Sequence, residues 1–369
     1  MKVPLLDLKR QYKTIKPEID EAIQKVLEHT MFIMGPEVKE LEEKLAKYCG
    51  TKYGIGVASG TDALLLSLRA LGVGPGSEVV TTTFSFFATA GVITRLGAKP
   101  VFVDIEPRTF NIDHQGIKAA ITPRTKAIMP VHLYGQIADM DEISEIGTKH
   151  DIPVVEDAAQ AIGAEYRGKK AGQFGVTACF SFFPSKNLGA YGDGGFITTD
   201  DDILAELLRK LRVHGSKPKY YHSVVGYNSR LDALQAAVLL VKLKYLPQWH
   251  EARRQKARKY NELLMGIEQV TIPFVHPHNY HIYHQYTIQA ENRDGLKDYL
   301  KAREIGFDTY YPLPLHMQEC YKELHYKPGS LPISERLASC AISLPVFPEL
   351  TDAEQEYVAG AIREFYKKR

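Results

Sequence analysis

The sequence predicts an α/β protein, a mostly parallel central sheet flanked by helices, followed by a smaller α+β unit. Three observations carry this. Between Tyr53 and Thr199, short apolar runs alternate with helical patterns. That order lays parallel strands side by side with helices on both faces. Two long helical patterns follow, Asp232 to Leu246 and Glu251 to Leu264, separated by Pro247. Beyond Gly266, strands and helices mix without regular alternation. With 369 residues the chain has room for about two domains at roughly 150 residues each. We expect a large domain over 1–246 and a small one over 247–369.

The elements follow in chain order. Lys16 to Glu28 carries Ile19, Ala22, Ile23 and Val26 at amphipathic helical spacing, with Pro17 suited to a first turn. Pro36 to Tyr48 reads as a second helix, with Val38, Leu41 and Leu45 on one face. Tyr53 to Ala58 is a short strand, and Ala63 to Leu71 is helical. Further strands are expected at Glu78–Thr82, Pro100–Val103, Thr125–Val131, Pro153–Val155, Ala178–Phe182 and Gly195–Thr199. Helical stretches between them include Phe87–Leu96, Asp113–Ala120 and Met140–His150. In the C-terminal unit, strand-like pieces at Tyr283–Gln289 and Thr309–Tyr311 accompany helices at Arg293–Arg303, Ser334–Cys340 and Asp352–Tyr366.

Composition narrows the function. At 44% hydrophobic and 24% charged, the chain is neither disordered nor fibrous. Lys and Arg number 46 against 44 Asp and Glu, so there is no bulk attraction to nucleic acid or to an anionic membrane. Four cysteines with no C-x-x-C pair read as reduced thiols in a cytoplasmic protein. Charges near the N-terminus interrupt any signal-peptide core, and no apolar run is long enough for a transmembrane helix.

Four segments suggest chemistry. Ser59-Gly60-Thr61-Asp62 follows a strand and opens a helix. The free N–H groups and positive dipole end of such a helix suit an anion, and Gly60 would let a phosphate approach the backbone. An ordinary N-cap is the alternative. Val154-Val155-Glu156-Asp157-Ala158-Ala159-Gln160 ends an apolar strand in two carboxylates. Ligands of open α/β sheets sit beyond the carboxyl ends of strands, and a half-buried carboxylate there needs a cation. A protonated pyridine nitrogen would serve; an acidic helix cap is the plainer reading. Lys186 lies between two apolar strands, among Pro, Ser and Gly, with no charged neighbour for six positions on either side. Most lysines are solvated, but this setting suits a partly desolvated amine with a lowered pKa, able to form a Schiff base. The glycines at 189, 192, 194 and 195 imply tight turns or backbone close to a ligand. Tyr227-Asn228-Ser229-Arg230-Leu231-Asp232 precedes a long helix. Asn228 or Ser229 could cap it, and Arg230 could clamp a carboxylate or phosphate.

Together and in this order, these segments resemble the DegT/DnrJ/StrS family of nucleotide-sugar aminotransferases, pyridoxal-phosphate enzymes of the aspartate aminotransferase fold (fold type I). The likeness runs from Val3 to about Pro348 and includes Gly35-Pro36-Glu37, Ala98 to Asp104, Pro130-Val131-His132-Leu133-Tyr134-Gly135 and Arg212-Val213-His214-Gly215. It implies that Lys186 is the Schiff-base lysine, that Asp157 keeps the pyridine nitrogen protonated, and that Gln160 meets the ring hydroxyl. It implies that Gly60, Thr61 and Ser181 cradle the phosphate and that Phe86 stacks on the ring. Asn228 would reach the phosphate from the other subunit, making the active unit a homodimer. Lys186 would move a proton as general base and acid while an amino group passes from L-glutamate, through the pyridoxamine form of the cofactor, to a keto-sugar.

Within the family the chain is similar to enzymes that aminate carbon 3. The competing substrates are a dTDP-3-keto-6-deoxyhexose and a UDP-linked 3-keto N-acetylglucosaminuronate. Arg230 does not discriminate, because the family tends to carry it. The departure is at Tyr310-Tyr311-Pro312, where the family usually has His-Tyr-Pro. A neutral phenol at Tyr310 favours hydroxyl-rich recognition over a carboxylate, so Tyr310 and Tyr311 are expected to contact a neutral deoxyhexose. A second class of function is a non-catalytic, cofactor-binding regulatory protein, since some members were first described as regulators. A dehydratase on the same fold is disfavoured by Lys186, because that chemistry goes with His there. His276, His278, His281 and His284 read as a polar loop; their spacing fits no standard metal site, and no metal is expected. Gly72 to Gly76 leads from helix to strand, the wrong order for a dinucleotide fingerprint. The basic run Arg253 to Lys259 reads as the solvated face of a helix.

Overall fold

The computed structural model describes residues 1–367. Seven strands build the main sheet: β1 (Tyr53–Val57), β2 (Glu78–Thr82), β3 (Lys99–Val103), β4 (Thr125–Met129), β5 (Val155–Asp157), β6 (Thr177–Ser181) and β7 (Gly195–Thr199). One group runs β3-β2-β4, all parallel, and the other runs β1-β7-β6-β5. Parallel bridges from Ile128 to Val154 and from Val131 to Asp157 join β4 to β5. The whole order is therefore β3-β2-β4-β5-β6-β7-β1. Only β7 runs antiparallel to its neighbours. The stretch between β6 and β7 contains no helix, and without a crossover helix the chain returns antiparallel. The strands expected for this sheet recur within two residues at their ends.

Apolar faces decide the packing. Leu64, Leu66 and Leu68 of the helix Gly60–Ala70 are buried against Ile55, Val79, Cys179 and Ile197 of the sheet. On the other face, Leu41 and Leu45 of the helix Pro36–Cys49 join Phe180, Phe182 and Leu239. A separate core forms around an antiparallel sheet of Val270–Thr271, Tyr286–Ala290 and Ala341–Leu344, with Tyr286–Ala290 in the middle. Helices Leu246–Leu264, Arg293–Lys301 and Asp352–Lys367 contribute to that core. Val3, from the other end of the chain, is fully buried in it and pairs with Ile305.

Three expectations are corrected. The first helix spans Leu8–His29, not Lys16 to Glu28, because the Asp7 carboxylate accepts from the Lys9 and Arg10 amides and starts it earlier. Pro17 consequently sits inside the helix, on its exposed side, where water can reach the carbonyl that loses a partner. Thr309–Tyr311 is not a strand. Asp308 makes a single antiparallel bridge with Ser343, after which the chain turns into a cavity. The basic run is not uniformly solvated. Arg253 is buried, and its Nη1 donates to the carbonyls of Tyr283, His284 and Val346.

Candidate active site

The carboxyl ends of β1, β4, β5 and β6 converge, because β7 reverses direction and leaves β1 parallel to β6. Beyond them lies a cavity of about 440 Å³. Its walls include Gly60, Thr61, Phe86, Asp157, Gln160, Ser181, Lys186, Tyr310 and Tyr311. Asn228 and Arg230 are absent from this wall: Asn228 is exposed, in a bridge with Val213.

Lys186 rides on the β6–β7 connection. Its amide donates to the Phe183 carbonyl at 2.8 Å, and Ala190 N–H donates to the Phe182 carbonyl at 2.8 Å, folding the segment into a tight loop. Packing around the amine lowers its pKa to about 8, while the charge of Asp157 pulls the other way. The glycines after it serve backbone contacts. A Cβ on Gly195 would stand 2.2 Å from the Ser59 carbonyl oxygen, so β7 presses against the residue that caps the helix Gly60–Ala70. Lys242, buried on helix Ala233–Leu243, donates to the Gly189 carbonyl at 2.6 Å and ties the loop down from below.

Asp157 ends β5 and is 3% exposed. Its carboxylate accepts from the Thr89 hydroxyl at 2.7 Å and from the Ala159 amide at 3.2 Å. Thr89 spends its proton on Asp157, so Ser85 must be the donor in the 2.8 Å contact between the two hydroxyls. No Lys, Arg or His forms an ion pair with Asp157 among the described residues, and burial pushes its carboxyl pKa up. Its neighbour Glu156 points to the other face. Glu156 accepts from His132 Nε2 and the amides of Gly172, Phe174 and Gly175, all within 2.8–2.9 Å.

Gln160 is oriented on both sides: its Oε1 accepts from the Tyr134 amide at 2.8 Å, and its Nε2 donates to the Tyr311 hydroxyl at 3.1 Å. The Tyr310 carbonyl accepts from the Tyr134 hydroxyl. At the far wall, the Ser59 hydroxyl accepts from the Asp62 amide and caps the helix Gly60–Ala70. A Cβ on Gly60 would stand 2.6 Å from the Ser181 Cβ, so the helix start and the end of β6 touch only because residue 60 is glycine. Sequence reasoning missed Thr89 and Ser85, although both lie within three residues of Phe86. It also missed His284, which lines the cavity. Among the described residues no group of three or more His, Cys, Asp or Glu is placed to hold a metal ion.

A desolvated lysine facing a buried carboxylate, with a helix N-terminus opposite, defines an α/β enzyme of the amine-handling kind. The chain belongs to the DegT/DnrJ/EryC1/StrS aminotransferase family, whose model matches residues 13–363. It is 55% identical over 100% of its length, and 99% of the relative's, to a pleiotropic regulatory protein of Geobacillus stearothermophilus. It is 47% identical, over 98% of this chain and 99% of the relative, to the UDP-2-acetamido-2-deoxy-3-oxo-D-glucuronate aminotransferase of Pseudomonas aeruginosa. The solved structure of DesV from S. venezuelae, in complex with a ketimine intermediate, superimposes with a TM-score of 0.97 at 43% identity, covering 99% of each chain. Further matches include a dTDP-3-amino-3,4,6-trideoxy-alpha-D-glucose transaminase of Streptomyces venezuelae at 42% identity, and family members solved with pyridoxamine phosphate or pyridoxal phosphate.

Proposed function

We propose that this chain is a pyridoxal-phosphate-dependent nucleotide-sugar aminotransferase that moves an amino group from L-glutamate to carbon 3 of a dTDP-3-keto-6-deoxyhexose. The residues present fit the cofactor. Asp157 is a buried carboxylate with no ion-pair partner among the described residues, the setting a pyridine N–H⁺ would complete. Lys186 is an amine held near neutral pKa in the same cavity. The first N–H groups of the helix Gly60–Ala70, at Gly60 and Thr61, have no partners within the helix and suit a phosphate beside the Ser181 hydroxyl.

When bound, the cofactor ring supplies the electron sink on which amine and ketone exchange. This chain's residues do the rest. Lys186 would hold the cofactor and, with its amine free, would take and give a proton at Nζ, for which its pKa of about 8 suits it. Asp157, held by Thr89 and Ala159, would keep the ring nitrogen protonated. Gln160 would meet the ring hydroxyl, and Phe86 would stack on the ring. Asn228 and Arg230 act in the cavity of a second copy, a reading supported by their place outside this chain's own wall. Phe86 and Phe183, which line the cavity mouth yet are 58% and 54% exposed, support a homodimer that covers them.

The observation that carries the sugar choice is charge. Lys186 is the only Lys or Arg in the cavity wall among the described residues, so a uronate carboxylate meets no free cation from this chain. The phenols of Tyr310 and Tyr311, whose pKa values burial raises, stay neutral and suit hydroxyl groups. The identity to the Pseudomonas glucuronate enzyme favours the UDP-linked 3-keto uronate as the second reading, with Arg230 of a second copy as its cation. A regulatory protein that binds the cofactor without turnover is the reading of another class, favoured by the Geobacillus relative. To test all three, the pyridoxamine form is offered each keto-sugar while the return of the cofactor's visible absorbance is followed. Faster return with the deoxyhexose is expected, and Lys186→Ala should abolish it. Faster return with the uronate would reverse the sugar assignment, and no return with either would leave the regulatory reading.

A further inference from the structure

Helix Ala233–Leu243 lies under the loop that carries Lys186 and grips it at two points. Gln235 Oε1 accepts from the Tyr191 amide at 2.8 Å, and Lys242 Nζ donates to the Gly189 carbonyl at 2.6 Å. The two side chains stand about two helical turns apart, on one face. Gly189 is where the limbs of the loop touch: a Cβ there would stand 2.3 Å from the Pro184 carbonyl oxygen. A hold on Gly189 is therefore also a hold on the limb from Pro184 to Lys186. No helix or strand falls within the loop, and its glycines free the backbone, so side chains from outside must steady it. Asn187 Nδ2 adds a tie to the Ile282 carbonyl, at a longer 3.2 Å.

Lys242 is 1% exposed. The hydrogen-bond acceptor and the aromatic face that meet its amine both belong to the loop: the Gly189 carbonyl, and the Tyr191 ring, whose centroid is 4.3 Å from Nζ. Tyr12, from helix Leu8–His29, backs that ring edge-on at 6.0 Å. The amine is in no ion pair among the described residues; the Glu349 charge acts on it from beyond ion-pair distance. Burial presses its pKa down to about 8, so the charged form is held there at a cost. A methionine would fill the same length without that cost, so the amine is placed for what it binds.

We propose that Lys242 is a positioning residue: by holding the Gly189 carbonyl, its amine fixes the loop so that Lys186 enters the cavity at one set position. This rests on the reading of Lys186 as the reacting amine. The Lys186 side chain is long and flexible, so its aim depends on where its backbone stands. Misplacing a reacting group by about 1 Å costs on the order of a hundredfold in rate. Without Lys242 the loop should sample more positions, while the rest of the cavity wall keeps its shape.

Lys242→Met keeps the length of the side chain and removes the donor. In the full-length chain without cofactor, amide hydrogen exchange should quicken about tenfold at Lys186 and Ala190, whose bonds to the Phe183 and Phe182 carbonyls close the loop. It should stay unchanged in Tyr286–Ala290 of the other core. In the holoenzyme, the rate of the glutamate half-reaction should fall about tenfold, with KM for the nucleotide sugar within about twofold. Lys242→Arg, which keeps a charged donor, should restore most of both. Should Lys242→Met fail to fold, Lys242→Gln, whose amide ends one bond short of the Gly189 carbonyl, is read in its place with the same expectations. Unchanged exchange at Lys186 and Ala190 would overturn the proposal, and so would faster exchange there with an unchanged half-reaction. Quickened exchange throughout the chain would make Lys242 a support of the fold at large and overturn it as well. Turnover surviving in Lys186→Ala would instead sink the reading beneath it.

Discussion

At the scale of single residues, the site works by withholding partners. Among the described residues, Asp157 has two uncharged donors and no ion-paired cation, and Lys186 has no ion-paired carboxylate. Thr89→Val tests the first. A hydrogen bond to a charged group is worth roughly 1.5–3 kcal/mol, so turnover should drop by about tenfold or more. Thr89 lowers the Asp157 pKa, and its loss should move the acid limb of the pH–rate profile upward. An unmoved limb would show that the hydroxyl does not reach the ionised form. Lys186 and Asp157 were legible in the sequence because each follows an apolar run, and strand ends are where ligands sit. His284 was not legible. Its partner Asn187 is 97 positions away, and three neighbouring histidines hid it.

Elements were legible where burial imposes a period. The helices and strands of the main sheet follow the spacing of Leu, Ile and Val, which only a buried face requires. The reversal of β7 left no local mark, since direction depends on what connects two strands. Nor did the turn at Thr309–Tyr311, whose β-prone residues serve a cavity wall. The meeting of the helix start with β6 gives the sharpest test at this scale. Gly60→Ala drives a Cβ against Ser181 and should destabilise by about 1–3 kcal/mol, the usual range for overpacking. It should also weaken cofactor binding. Adding Ser181→Gly removes the opposing Cβ, so the double variant should be more stable than the sum of the single changes. Additive losses, read by thermal unfolding, would mean the two positions do not press on each other.

For the whole molecule, the two cores are joined by charge as well as by chain. Arg10 Nη2 meets Glu354 at 2.6 Å, and the Thr351 hydroxyl and amide also donate to Glu354 at the start of the last helix. These donors, led by Arg10, hold the Glu354 carboxyl down at about 2. A depressed carboxyl stabilises the fold above its unfolded pKa, and that stabilisation is lost as pH falls through the folded value. Stability should therefore decline between about pH 4.5 and pH 2, and Glu354→Gln should flatten that decline while lowering the melting temperature at pH 7. A variant that melts like the wild type at both pH values would remove this pair from the account. The cavity lies where the cores meet: His284, Gln285, Tyr310 and Tyr311 come from beyond the long helices, the rest of its wall from the strand ends, helices and connections of the main sheet. No helix among the described residues is long and apolar enough to cross a membrane.

The pairing of Val3 with Ile305 has a consequence for how the protein is made. The ribosome delivers Val3 some three hundred positions before its partner. The main sheet can assemble on the growing chain, but the second core cannot close until Ile305 and the elements after it have emerged. Closure of so long a loop is the slow kind of contact. During that interval Val3 is an apolar residue waiting for its seat, and a folding nascent chain should become resistant to proteolysis around Val3 only once Ile305 has emerged.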